Sequence, residues 1–177
     1  MRSDVARGMA TGENAEFWAS VNVGRWSQAV AVEAATDTAV CDTDPLKLHY
    51  DYCLARVGVG SWAGFRAGVR SCRSEIAHQS LGPADAVVCC IPDDASLADR
   101  QRADPTRGRR NFDLHRGLSG PLRDWYAALN DVDPGRVTWG FPDELPVGSV
   151  GNRYDLGLFD AWMRVLPSPN SQSWLEA

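Results

Sequence analysis

Residues 36–50 read TDTAVCDTDPLKLHY, and how the first half of this stretch is taken decides the fold. TAVC (38–41) is a short apolar run that ends abruptly in Asp42-Thr43-Asp44-Pro45. Taken as a buried strand, it makes the chain one in which strands and helices alternate. Beyond Asp44-Pro45, the apolar residues Leu46, Tyr50, Cys53, Leu54 and Val57 fall at i, i+4, i+7, i+8 and i+11, which is one face of a helix. Gly58 and Gly60 end it.

Working outward, residues 13–35 are rich in helix formers, and Gly24 could divide them into two helices. Trp62, Phe65, Val69, Cys72 and Ile76 mark another helix face. ADAVVCCIPDD then predicts a buried strand at about 86–91 with a polar exit, followed by a short helix carrying ASLADRQRAD. Leu118, Leu122, Trp125, Tyr126 and Leu129 line a further helix. VTWGF (137–141) predicts a third strand, and Leu156, Phe159, Trp162, Met163 and Leu166 a last helix. Short apolar strands separated by amphipathic helices predict an α/β fold, a three-layer α/β/α sandwich around a mostly parallel sheet. The expected organisation is one domain over 1–166 with a poorly ordered tail at 167–177. Ligands of such sheets bind beyond the carboxyl ends of the strands, here Asp42-Thr43-Asp44, Pro92-Asp93-Asp94 and Pro142-Asp143-Glu144.

Composition narrows the function classes. The 177 residues carry a net charge of −5 with a pI near 5.1, which argues against general binding to nucleic acid or an anionic membrane. No apolar stretch is long enough to span a bilayer, and MRSDVARGMATGENAEF lacks the apolar centre of a secretory signal, so the expected location is cytoplasmic. The five cysteines are odd in number, and none lies in a CxxC pair. Cys89 and Cys90 are adjacent and would face opposite sides of a strand, which disfavours a shared metal.

Asp44, before Pro45, has the position of a helix N-cap. Asp42 lies at the strand's end, where a carboxylate can hold a magnesium-bound water or accept a proton from a substrate hydroxyl; it can equally be a solvated turn residue. Lys47 could reach a phosphate or merely be solvated. A second cluster is DRQRADPTRGRRNFDLH (99–115), in which Arg100, Arg102, Arg107, Arg109 and Arg110 stand close together in an acidic chain. Their guanidinium donors suit phosphate oxygens, and Pro105 and Gly108 suit a loop that closes. The alternative is a basic patch balanced by Asp99, Asp104 and Asp113.

Together, VCDTDPLKLHY, ADAVVCCIPDD, LADRQRADPTRGRRNF, PLRDWYAAL and DPGRVTWGF resemble, in order and spacing, a P-loop nucleoside or nucleotide kinase of the thymidylate-kinase-like group, over about Asn14 to Val165. The resemblance implies an ATP- and magnesium-dependent phosphotransferase acting on a small acceptor such as a nucleoside or nucleotide. It would place Asp42 near the acceptor hydroxyl or magnesium, Asp44 beside it, and a lid at about 99–113 whose arginines meet phosphates. The family's GxxxxGK[ST] phosphate loop is absent, so the chain would correspond to such a kinase without its first strand. The alternative expectation is a non-catalytic module of kinase-like fold that binds a nucleotide, a small acid or a partner protein, with a homo-oligomer among the expected partners. The seven tryptophans motivate the partner reading, since aromatics are enriched in interface cores. No motif supports a Cys–His nucleophile with His49, His78 or His115, and GxSxG is absent.

Overall fold

The computed structural model describes residues 11–103, 112–146 and 152–168. In chain order the elements are α1 (Thr11–Thr36), α2 (Leu48–Arg56), α3 (Trp62–Ala77), β1 (Val87–Cys89), α4 (Asp94–Ala103), α5 (Phe112–Gly117), α6 (Ser119–Val132), β2 (Val137–Trp139) and α7 (Leu156–Val165). The described chain is thus mostly helical, with a parallel two-stranded sheet that pairs Val87 with Val137, Val88 with Thr138 and Cys89 with Trp139.

This overturns the three-layer α/β/α sandwich. The deciding stretch is not a strand. α1 runs unbroken to Thr36, Asp37 turns the chain with φ 61°, and residues 38–41 follow as irregular backbone. Val40 is 77% exposed and Cys41 is exposed, so the apolar run has no layer to lie in. The other two strands form where expected but extend for three residues each, too short to carry helices on both faces. Gly24 does not split α1: it faces open space on the exposed side, and its local cost is offset by the packing of α1 along α3.

α2 starts two residues later than its apolar spacing suggests. Pro45 and Leu46 form a turn closed by the Lys47 N–H to the Asp44 carbonyl at 3.1 Å, and Lys47 itself enters the helix at φ 58° without capping it through its side chain. The buried side chains are therefore Leu48, Tyr52, Cys53 and Ala55, while Tyr50 is 43% exposed. α2 lies between α3 and α6, and that double contact fixes which face turns inward. α2 ends as expected: Gly58 has φ 75°, and a Cβ on Gly60 would meet the Ala55 backbone nitrogen at 2.9 Å.

The core centres on Trp125. Its ring lies 4.6 Å from Trp162 of α7, 5.4 Å from Tyr52 of α2 and 6.2 Å from Phe65 of α3, measured between centroids. The Trp162 indole N–H donates to the Trp125 carbonyl at 3.1 Å, so the buried polar edge has its partner. The expected faces of α3, α6 and α7 are the ones that meet here. Two ion-pair sets brace the outside. Arg73 of α3 grips Asp160 of α7 with two bonds of 2.8 and 2.9 Å. Arg153, 7% exposed, joins Glu33 of α1 at 2.8 Å to Asp85, and its guanidinium lies 5.4 Å from the Trp26 ring.

Candidate functional site

The two carboxylates of the deciding stretch have different surroundings. Asp44 is half-buried, and both its oxygens already accept: Oδ1 from the Leu46 N–H at 2.8 Å, Oδ2 from the Trp125 indole N–H and the Tyr126 hydroxyl, each at 3.4 Å. It is the knot that ties the turn before α2 to α6, rather than an N-cap. The Leu46 carbonyl, one turn along, accepts from the Asn22 side chain at 3.1 Å and the Cys72 thiol at 3.7 Å, which fixes the same turn to α1 and α3. Asp42 is exposed and stays open to solvent. Among the described residues, no group of three or more His, Cys, Asp or Glu side chains could hold a metal ion. A magnesium ion at Asp42 would have that one exposed carboxylate, while Asp44 is turned to Leu46, Trp125 and Tyr126.

Lys47 is half-buried beside this knot. Arg102 is exposed and pairs with Asp99 of its own helix, α4. Arg100 also lies in α4, and its side chain, like Arg107, Arg109 and Arg110, lies outside the described residues. The structure therefore joins Asp44 to α6 and separates Arg102 into a local pair.

Sequence reasoning points to the carboxyl ends of the strands, at Pro92-Asp93-Asp94 and Pro142-Asp143-Glu144, but does not single out Arg123, Trp139 or Phe141 as site residues there. β1 and β2 run in parallel, and the Gly140 N–H extends the pairing to the Cys89 carbonyl at 3.0 Å before the chain turns at φ 81°. Trp139 ends β2 with 42% of its surface exposed, and Phe141 follows at 86%. The Arg123 guanidinium of α6 stacks 5.4 Å from the Trp139 ring centre. Arg123 stands one turn before Tyr126, so the carboxyl end of the sheet and the Asp44 knot are consecutive contacts of one helix. Arg116 of α5 reaches Asp94, the first residue of α4, at 3.4 Å. The N-terminus of α4 already holds an anion: the Asp93 carboxylate accepts the Ser96 N–H at 2.7 Å, and that bond lowers its pKa. Any anionic ligand here would have to be held by guanidinium groups.

Cys41, Cys53, Cys72 and Cys89 are poorly suited to nucleophilic work. Burial pushes the Cys53 and Cys72 pKa values up to about 12 and that of Cys89 to about 11, with Arg123 opposing the shift at Cys89. Cys41 is also raised, first by burial and then by Asp42. Of the six described tryptophans only Trp139 is exposed; its one signal in the sequence is that it falls in the strand VTWGF rather than on an apolar helix face.

Comparison with known protein families, with curated proteins and with solved structures finds no match to this chain.

Proposed function

We propose that the chain is a binding module for a planar, anionic small molecule of nucleotide type, seated at the carboxyl end of the β1–β2 pair. The observation that carries this reading is the Arg123 guanidinium stacked on the partly exposed Trp139 ring. An aromatic ring with open surface offers a face to a base, worth about 1–3 kcal/mol per stacked base. A guanidinium beside it supplies paired donors for phosphate. Exposed Phe141 offers a second ring, and Arg116, already paired with Asp94 at the surface, a second cation. Arg107, Arg109 and Arg110, between α4 and α5 in sequence, are the further phosphate partners on this reading.

ATP, with and without magnesium, is the ligand to test first. Titration should shift the Trp139 indole N–H resonance, and Trp139→Ala and Arg123→Ala should each weaken binding about tenfold or more, the equivalent of about 1.4 kcal/mol. Adenosine should bind through Trp139 but be indifferent to Arg109→Ala/Arg110→Ala, whereas ATP should lose affinity in that double variant. Wild-type protein that binds no nucleotide sinks the functional reading. Binding that survives both Trp139→Ala and Arg123→Ala moves the site elsewhere.

A phosphotransferase reading adds catalysis, with the exposed Asp42 as the acceptor's base. It rests on that open carboxylate and predicts slow ATP turnover abolished by Asp42→Asn.

A further inference from the structure

His49 is the second residue of α2, and its Nδ1 is buried without a hydrogen-bond partner. Whichever tautomer the ring adopts, that atom loses its contact with water and gains nothing in return, at a cost of about 1–3 kcal/mol. The ring lies against Tyr126 of α6, centroids 6.4 Å apart and planes 31° from parallel. The next residue, Tyr50, stacks at 6.3 Å and 23° on His115 of α5. The start of α2 is therefore held to α5 and α6 by two adjacent rings, one of which hides an unmet polar atom.

We propose that His49 makes the start of α2 an acid-sensitive joint: taking up a proton opens the α2–α6 contact and frees the turn at residues 44–47 from Tyr126. The charged and titratable groups around the joint are Asp44 and Lys47 from the preceding turn, Asp51 from α2, Tyr126 from α6, His115 of α5 against the neighbouring Tyr50, and Cys72 of α3, bonded to the same turn. Burial lowers the imidazole pKa most strongly; Asp44 and Asp51 pull it back up, and Lys47 adds to the lowering. The folded pKa thus lies below the ordinary 6.5, so the open state binds the proton better. The closed joint has its full stability above about pH 6.5 and loses it as pH falls toward the lower, folded value. Asp44 favours the charged ring, yet its oxygens already accept from Leu46, Trp125 and Tyr126, and Nδ1 makes no hydrogen bond to it in the closed joint.

The test is amide hydrogen exchange over residues 44–56, corrected for intrinsic rates, between about pH 7.5 and about pH 5.5, where an ordinary imidazole changes charge. In the wild type the opening equilibrium should rise by up to about tenfold per pH unit in the acid half of this range. His49→Gln should remove that dependence, and Asp51→Asn should keep it. A response that persists in His49→Gln, or vanishes in Asp51→Asn alone, overturns the assignment. The wild-type His49 ring, followed by NMR, supplies a reading that needs no variant. A midpoint below 6.5 with loss of its contact to Tyr126 supports the joint; a midpoint at or above 6.5, or titration with that contact intact, overturns it.

Discussion

Asp42 and Asp44 are the same residue type two positions apart, and their environments give them opposite sensitivities. Asp44 accepts from a backbone N–H, an indole and a phenol, and removing it leaves two aromatic donors of the core without an acceptor. Asp44→Ala should cost about 1–3 kcal/mol in urea unfolding, while Asp42→Asn, at an exposed position, should stay within about 0.5 kcal/mol. The pair was visible in the sequence as a pair. Its division of labour was not, because Trp125 and Tyr126 stand 81 and 82 residues further along. Burial of Tyr126, with Asp44 next, also raises its phenol pKa, so the hydroxyl remains a donor across the neutral range.

At the scale of single elements, α1 is a continuous 26-residue helix with a glycine on its exposed side. A Cβ at Gly24 would meet nothing within 4 Å, so Gly24→Ala should stabilise the protein by about 0.5–1 kcal/mol, read as a rise in Tm. A fall in Tm would mean that α1 needs a break there after all. The faces of α3, α6 and α7 were legible because their apolar stripes recur at helical spacing and each packs by that stripe. α2 was half legible: its existence followed from the pattern, but its inward face is Leu48, Tyr52 and Ala55, set by the late start that the turn at Pro45–Leu46 imposes. TAVC carried too little information, since a four-residue apolar run looks alike whether a layer covers it or water does. Read as buried, they produced a sheet that the exposed Val40 contradicts. The stacked Arg123 and Trp139 escaped notice for a related reason: they come from a helix and a strand that meet only in the folded chain.

Across the whole molecule, Arg153 is the residue that joins distant parts. It is buried, pairs with Glu33 and Asp85, and its backbone oxygen crowds the place that a Cβ on Gly82 would take, so only glycine fits that position. Arg153→Met should destabilise by about 2–3 kcal/mol, less than the ~3–5 for a fully buried pair because the Glu33 side chain keeps 31% exposure. Lysine should restore little, since it lacks the fork that meets two carboxylates. The same pair sets an acid response. The Arg153 hydrogen bond lowers the Glu33 pKa below 4.5, so its stabilisation is complete above about pH 4.5 and lost as pH falls through the folded value. Acid unfolding curves of wild type and Arg153→Met should therefore converge below that range; parallel curves would disconnect Glu33 from the clamp.

That clamp also has a timetable. Glu33 and Arg153 are 120 residues apart, and Trp26 meets Tyr154 over 128. A ribosome adding about 5–20 residues per second delivers Arg153 roughly 6–24 s after Glu33. During that interval α1, the longest helix among the described residues, has its α3 contact within reach but not its second anchor. Its apolar side must wait, half-covered, for the last part of the molecule to be made.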